Sequence, residues 1–491
     1  MVEILVTSSA PGSGEGPTPL LRSLHRQTDD RWRLSKTNRV SPGDDPDLFV
    51  LCVDPEAELR DDAVAILADA ITKHPLASAF YTDIRVGSEL VRRPAWSPTR
   101  AMTQPAACQP IVVRAGAVSS DALTNPTVAA LELARSEAII LHIPAPVVSC
   151  PDRPAASGVA TLIDAHLGKI GVSGRTVPGP SPGTYEIRPS RRDRRSLTVV
   201  VPTAGARDDA GNRFIDSCLD GLDDATWPDL QVVIVVGDEF DGDAQRLASA
   251  PNRRLLQRPP GRFNFAEASN LGLLAANTEL VLFLNDDTTP IDSDWLDRLA
   301  VHLGDPTVGA VGAMMLYPGG SIQHAGVNID DARPLHPFVG WQPRDIARFG
   351  GDVAHDAVAV TAACLMSRRA ELLRVGGFWT GLPLSFNDVD LCLKLRRRGL
   401  RIIIEPGATL IHHETASREA QIDGWEWDRY IGRWGEIDDP WYHPGYERPD
   451  EPDSLNLNVN HIEPSIRREW LTPRGTSIHP AVHHVRERPP K

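Results

Sequence analysis

Apolar positions along the chain alternate between short, nearly unbroken runs and stretches with helical spacing. In the second half, apolar runs at 197–201, 231–236 and 280–284 are separated by segments that predict helices near 214–222 and 265–276. Unbroken apolar runs that alternate with helices are typical of a mostly parallel sheet with helices on both faces. We therefore predict an α/β fold.

The first half carries a weaker version of the same pattern. The run at 49–53 leads into Asp54-Pro55-Glu56, as the run at 280–284 leads into Asn285-Asp286-Asp287. A tandem duplication explains this similarity between the halves. Two unrelated α/β domains with similarly placed turn residues are the alternative. The predicted parts are a first domain over 1–170, a linker over 171–195, a second domain over 196–440 and a Pro-rich extended tail over 441–491.

Composition narrows the class of protein. The 65 acidic residues exceed the 51 basic ones, the formal charge is −14 and no long basic run occurs, so nucleic acid is not an expected partner. The six cysteines form no C-x-x-C pair, which fits a reducing cytosol. No apolar run approaches the ~18 residues of a membrane span. We expect a soluble cytoplasmic protein, with at most peripheral contact at the inner face of the plasma membrane.

Clustered acids at a predicted strand end are the first candidate site. Asn285, Asp286 and Asp287 follow the apolar run at 280–284 directly. In open α/β sheets, ligands bind outside the carboxyl ends of the strands. Carboxylates there suit a hard divalent cation that keeps coordination positions for phosphate. A turn or a helix cap is the alternative, because Asp and Asn favour both.

A second candidate is Asp388, at the start of a predicted helix. Leu391 and Leu395 follow it at i+3 and i+7, so the carboxylate stands at the N-terminal end of an apolar stripe. The helix dipole favours a negative charge at this position. Such a rigidly placed carboxylate can accept a proton, although an ordinary acidic first turn has the same pattern.

The third candidate follows a strand that starts near Arg401. Adjacent His412 and His413 on an extended segment point to opposite faces, so only one of them easily reaches a site. A neutral imidazole can bind a metal, and the planar guanidinium of Arg418 can bind phosphate oxygens. A structural histidine and a surface arginine are the alternative.

These three groups follow Val200-Val-Pro-Thr203 along the chain. In this order, the motifs resemble those of glycosyltransferase family 2, the inverting enzymes with the GT-A fold. The resemblance runs from about 197 to 446, and bacterial rhamnosyl, O-antigen and cell-wall glycosyltransferases are the branch that the chain looks like. Further matching motifs are at 263–272, 322–326, 361–366, 376–378 and 386–391.

The resemblance implies a role for each matching position. Asp388 would be the base that deprotonates the acceptor, and Asp287 would bind a divalent cation, Mn²⁺ or Mg²⁺, completed by His412 or His413. Asp286 would lie near the ribose or the metal. The implied donor-binding residues are Pro202, Thr203, Asp238, Asn270, Asn285, Asp286 and Arg418. One departure concerns the base of the nucleotide: the family's acid-Asn pair after the second strand is replaced by Gly237-Asp238-Glu239, with Asp238 as the expected substitute.

The resemblance also implies the reaction. A sugar would move from a nucleotide-sugar donor to a hydroxyl of a cell-surface glycan or lipid-linked glycan, with rhamnosyl transfer as one candidate. Transfer to polyprenyl phosphate and a catalytically inactive glycan- or nucleotide-binding scaffold are the alternatives.

The first domain resembles a degenerate GT-A copy. Asn125-Pro126-Thr127 stands where the base is expected, and Ser149-Cys150 replaces the terminal histidine. We therefore expect a non-catalytic first domain.

Overall fold

The computed structural model describes most of the chain up to residue 441. The described residues are 4–8, 18–34, 45, 47–54, 56–93, 96–108, 111–136, 138–150, 158–190, 195–330, 332–413, 424–435, 437, 439 and 441. The chain divides into two compact units. One comprises Met1–His166, Pro178–Tyr185 and Pro440–Thr476, and the other comprises Leu167–Val177, Glu186–Asp439 and Ser477–Lys491. The predicted tail over 441–491 lies outside the described residues apart from Trp441.

The first unit is built around a mixed sheet. Its strands are β1 (Ile4–Ser8), β2 (Trp32–Leu34), β3 (Phe49–Val53), β4 (Glu58–Leu59), β5 (Ala79–Val86), β6 (Glu89–Val91), β7 (Ile111–Arg114) and β8 (Ile140–Cys150). The α-helices are α1 (Pro19–Leu24), α2 (Ala63–Lys73), α3 (Pro98–Thr103), α4 (Pro126–Ala134) and α5 (Val159–Lys169), the last of which runs into the second unit. Single-turn 3₁₀ helices lie at Pro105–Cys108, Ala115–Ala117 and Ala122–Thr124.

Part of the predicted linker is a β-hairpin. Strands β9 (Gly174–Pro178) and β10 (Tyr185–Pro189) pair in a two-stranded sheet. The Gly- and Pro-rich stretch between them makes the turn, and Gly183 adopts a φ of 75°, which residues with a Cβ rarely take. The Gly and Pro residues that suggested a linker therefore form the turn in which the chain reverses direction between the two strands of the hairpin.

The second unit carries the larger sheet. Its strands are β11 (Leu197–Thr203), β12 (Leu230–Val236), β13 (Arg253–Gln257), β14 (Leu280–Leu284), β15 (Thr288–Pro290), β16 (Val308–Leu316), β17 (Ile322–His324), β18 (Asn328–Asp330), β19 (Arg333–Leu335), β20 (His355–Ala357), β21 (Cys364–Arg368) and β22 (Arg401–His412). Its helices are α6 (Phe214–Asp223), α7 (Phe265–Ala275), α8 (Trp295–His302), α9 (Arg369–Arg374), α10 (Asn387–Arg397) and α11 (Gly424–Trp434), with 3₁₀ helices at Ala244–Ala248 and Pro343–Phe349.

The two sheets share one strand order. The first runs β2-β1-β3-β7-β5-β8-β4, and the second runs β13-β12-β11-β14-β21-β16-β22-β15. In these two orders, each strand apart from β13 has a counterpart that pairs in the same direction; β7 and β21, for example, are antiparallel to both neighbours. This shared order favours a duplication over two unrelated domains. The α/β fold is confirmed, but the sheets are more mixed than predicted, because β7 and β21 are antiparallel to both neighbours and the edge strands β4 and β15 are antiparallel to β8 and β22.

Burial explains why β14 positions a site. All residues of β11 and β14 are buried, and helix α6 contributes Ile215, Cys218 and Leu222 to the same core. Strand β14 lies between β11 and β21, so both of its edges are paired, and the burial of all five residues shows that both of its faces are covered. Its carboxyl end is where the apolar run stops and polar residues begin. Among the residues that the structure describes, no helix has both the length and the apolar character needed to cross a membrane.

Candidate active site at the end of the central strand

Strand pairing brings the acidic cluster to the last residues of β22. After Asp287 the chain enters β15, which pairs antiparallel with β22 so that Thr288 lies opposite His412. The main-chain N–H of His413 donates a hydrogen bond to the carbonyl oxygen of Asp287 over 3.0 Å. Two parts of the chain that are distant in sequence are thereby fixed next to each other.

The two histidines have different surroundings. Nε2 of His412 lies 3.1 Å from Oδ1 of Asp287, and both side chains are mostly buried. The ring of His413 instead lies 5.1 Å from the ring of Phe214. The alternation of side chains along an extended strand causes this difference. The structure therefore brings His412, and not His413, to the acidic cluster.

Asp286, next to Asp287 in the cluster, is partly buried. Oγ1 of Thr203, at the end of β11, donates a hydrogen bond of 2.5 Å to Oδ2 of Asp286 and accepts one of 3.0 Å from the N–H of Gly205. Burial, and then the nearby Asp287 carboxylate, raise the pKa of Asp286 to about 7. Two adjacent acids with little access to water repel each other, and a bound cation would relieve that repulsion.

Asp287 has the unsatisfied oxygen that a metal ligand would have. Its Oδ1 is buried and accepts no hydrogen bond, although Nε2 of His412 is close. Within the described ranges, no group of three or more His, Cys, Asp or Glu side chains is arranged to hold a metal ion. Asp287 and His412 thus offer two ligands. The single carboxylate fits a cation such as Mg²⁺ or Mn²⁺ that keeps its remaining positions for phosphate and water, and the imidazole nitrogen suits Mn²⁺ better than Mg²⁺.

Asp388 is held by main-chain donors at the start of α10. Its Oδ2 accepts a hydrogen bond from the N–H of Ala362 at 3.2 Å, and its Oδ1 accepts one from the N–H of Val389 at 2.8 Å. The residue before the helix, Phe386, has a φ of 62°, which is a strained conformation for an aromatic residue. The half-buried carboxylate is therefore fixed in direction and still partly accessible.

Helix α11 holds the segment that leads into Asp388, which the sequence did not predict. Oε1 of the buried Glu426 accepts hydrogen bonds from the N–H groups of Leu384 and Ser385 at 2.9 and 3.0 Å. The ring of Tyr430 stacks on Phe386 with centroids 5.0 Å apart. These contacts stabilise the strained backbone at Phe386. The sequence feature that could have revealed this contact is the carboxylate of Glu426 among the aromatic residues of an amphipathic helix.

A second link between α10 and α11 is ionic. The fully buried Asp390 accepts a hydrogen bond from Nε1 of Trp434 at 2.9 Å and lies 2.7 Å from Nε of Arg433 and 3.1 Å from Nζ of Lys394. A buried carboxylate needs such partners to compensate for its lost hydration. Asp390 therefore stabilises the packing of α10 against α11, although it is only two residues from Asp388.

The remaining predicted donor-binding residues differ in their surroundings. Pro202 lies in β11 opposite Val235 of β12, and Asp238 is exposed just beyond the end of β12. Asn270 links helix α7 to Phe378: its Nδ2 donates to the carbonyl oxygen of Phe378 and its Oδ1 accepts from the Phe378 N–H, both at 2.8 Å. The role of Asn270 in donor binding stays a prediction. Arg418 lies outside the described residues.

Comparisons with known proteins show which sequences resemble this chain. Residues 198–373 match the family described as "Glycosyl transferase family 2". The O-antigen biosynthesis protein RfbC of Myxococcus xanthus is 31% identical over 337 residues, which cover 64% of this chain and 26% of that protein. The pre-mycofactocin glycosyltransferase of Mycobacterium tuberculosis is 30% identical over 259 residues, covering 52% of this chain and 50% of that protein. The chain thus spans half or less of the length of these relatives.

A comparison with solved structures gave the mannosyltransferase PcManGT from Pyrobaculum calidifontis in complex with GDP-Man and Mn²⁺. It is 22% identical, the match covers 52% of this chain and 67% of that chain, and the TM-score is 0.36.

Proposed function

Because residues 198–373 of this chain belong to glycosyltransferase family 2, we propose that the protein transfers a sugar from a nucleotide-sugar donor to a hydroxyl of a glycan or lipid-linked glycan. The observation that carries the proposal is the pairing of Asp287 with His412, together with the position of Asp388: its carboxylate is bonded to the N–H of Ala362, and the carbonyl oxygen of the next residue, Ala363, accepts a hydrogen bond from the N–H of Asn285. The name of the Myxococcus relative supports a cell-surface glycan as acceptor. Rhamnose is one candidate sugar.

We assign the metal site to Asp287 and His412. The support is the unsatisfied Oδ1 of Asp287 beside Nε2 of His412. When bound, a divalent cation such as Mn²⁺ or Mg²⁺ would supply Lewis-acid stabilisation of the charge that develops on the departing diphosphate.

Asp388 is proposed as the general base. Its carboxylate removes the proton of the acceptor hydroxyl while the hydroxyl oxygen bonds to the anomeric carbon. The bond from that carbon to the nucleoside diphosphate breaks on the opposite face, so one displacement inverts the anomeric configuration. The N–H groups of Ala362 and Val389 hold the carboxylate in one orientation, which avoids the loss of conformational freedom at the moment of reaction.

The proposed function is tested first by donor binding. We expect one class of nucleotide sugar to raise the unfolding temperature of the protein in the presence of Mn²⁺ or Mg²⁺ and not in EDTA. A donor at 100 times its dissociation constant adds ~2.7 kcal/mol to the free energy of unfolding. Release of nucleoside diphosphate from that donor would separate an enzyme from a binding scaffold. If no nucleotide sugar stabilises the protein with either metal, the proposal fails.

We propose further that the first unit is a non-catalytic copy. The antiparallel pairing of β4 with β8 resembles the pairing of β15 with β22, which supports an equivalence between Cys150 and His412. Burial raises the pKa of the Cys150 thiol, which keeps it in the poorly ligating protonated form. At the position of the base, Asn125 caps α4 by accepting hydrogen bonds from the N–H groups of Thr127 and Val128.

Substitutions at the end of β3 should therefore leave transfer intact. Asp54→Ala and Glu56→Ala remove the acids that correspond to Asn285 and Asp287, and we expect wild-type rates for both because the first unit has Cys150, and not a histidine, at the position proposed to correspond to His412. The measurement is the steady-state rate of transfer, with Asp287→Ala as the matched control in the second unit. A large loss of rate in Glu56→Ala would show that the first unit takes part in catalysis.

A further inference from the structure

Gln323 has an unusual backbone setting next to the candidate metal site. Strand β17 pairs with β16 so that Ile322 lies opposite Leu316 and His324 lies opposite Met315. Gln323 is thus the extra residue of a β-bulge, a feature that redirects a side chain and is frequent near active sites. Its side chain is 7% exposed, and its Oε1 lies 2.5 Å from Nδ1 of His412.

This contact determines which nitrogen of His412 carries the proton. A carbonyl oxygen only accepts hydrogen bonds, so Nδ1 must donate, and in the neutral imidazole Nε2 then keeps its lone pair. Asn285 independently indicates a lone pair on Nε2, because its Nδ2 group, which only donates hydrogen bonds, lies 3.3 Å from Nε2. Of the two neutral tautomers of the imidazole, both neighbours therefore favour the one with the lone pair on Nε2.

The same assignment explains the unsatisfied oxygen of Asp287. With the proton on Nδ1, His412 has no N–H to offer Oδ1 of Asp287 at 3.1 Å, and two lone pairs face each other. Such an arrangement is unfavourable by itself and becomes favourable when both atoms share a cation. The imidazole is thus prepared as a metal ligand by groups that do not touch the metal.

We propose that Gln323 is a positioning residue that fixes the tautomer and orientation of His412, so that Nε2 is presented to a divalent cation beside Asp287. The inference rests on the proposed metal site and adds to it the residue that prepares the ligand. Groups that orient a metal-bound histidine typically contribute 10–100-fold in metal affinity.

The test is calorimetric titration of the full chain with Mn²⁺ alone. We expect Gln323→Leu, which lacks the acceptor, to bind Mn²⁺ about 10–100-fold more weakly than wild type. Gln323→Glu keeps an acceptor at the same position and should bind at least as tightly as wild type. Gln342→Leu makes the same chemical change at an exposed position of the second unit and should leave the affinity unchanged.

A second readout needs no metal. In ¹⁵N NMR spectra, His412 of the wild type should show a protonated Nδ1, and the Gln323→Leu variant should shift toward protonation at Nε2, where Asp287 would become the acceptor. This signature would not change if Gln323 only filled space.

Three results would overturn the role of Gln323: equal Mn²⁺ affinity in wild type and Gln323→Leu, a loss in Gln323→Glu as large as in Gln323→Leu, or an unchanged tautomer. If Gln323→Leu does not fold, the Gln323→Glu affinity and the wild-type tautomer decide. Absence of saturable Mn²⁺ binding by the wild type would overturn the metal site together with this role, and the donor-binding experiment would then show separately whether the proposed transfer still stands.

Discussion

Replacing Asp388 with Asn should lower the rate of sugar transfer by ~10²–10⁴-fold, the usual contribution of a well-placed general base. The amide keeps the size of the side chain and can still accept the hydrogen bond from the N–H of Ala362, so the start of α10 should be preserved. Only the ability to take a proton is removed. We therefore expect a lower kcat with little change in donor affinity, measured by steady-state kinetics and by thermal shift with the donor.

Asp390→Asn is the matched control for this substitution. It makes the same chemical change two residues further along α10, but Asp390 is fully buried and bonded to Arg433, Lys394 and Trp434. Loss of its charge leaves two cations without their partner, so we expect a lower unfolding temperature. The two variants should thus separate chemistry from stability. Near wild-type transfer by Asp388→Asn would show that another group is the base.

Asp287→Ala should abolish metal-dependent binding of the donor while the fold stays intact. The substitution removes a buried carboxylate oxygen that has no hydrogen-bond donor, so little stabilising interaction is lost with it. It also removes one of only two protein ligands proposed for the cation, which leaves His412 alone. The measurement is calorimetric titration with a nucleoside diphosphate in the presence and absence of Mn²⁺.

The two histidines provide the control for this experiment. His412→Ala should weaken the Mn²⁺-dependent binding strongly, because Nε2 of His412 lies beside Oδ1 of Asp287. His413→Ala should have little effect, because its ring packs against Phe214. Unchanged binding in Asp287→Ala, or a larger loss in His413→Ala than in His412→Ala, would contradict the assignment of the site.

The sequence alone predicted those features that depend on local periodicity. The apolar runs at 197–201, 231–236 and 280–284 are strands, and the stretches near 214–222 and 265–276 are helices. The start of a helix at Asp388 was also visible, because the spacing of Leu391 and Leu395 records which face is buried. Each of these patterns lies within one segment and needs no partner to be recognised.

The type of side chain predicted the role of a residue less reliably where a contact with a distant segment engages the polar groups of that side chain. Asn270 carries an amide that could bind a donor, but the Phe378 main chain engages both of its polar groups. Glu426 could have been a surface residue of an amphipathic helix, yet it is buried and holds Leu384 and Ser385. A sequence states which groups are available, and only the fold decides where they are used.

The sequence by itself therefore determined the α/β class, the acids after the central strand and the rule that only one of His412 and His413 reaches them. The tertiary structure decided which one. The antiparallel register of β15 on β22 places His412 at Asp287, and the bulge in β17 turns Gln323 toward its Nδ1. The physical reason is that side-chain alternation is a local property with a period of two, whereas register is set by strand pairing between distant segments, and a shift of one residue would exchange the two histidines.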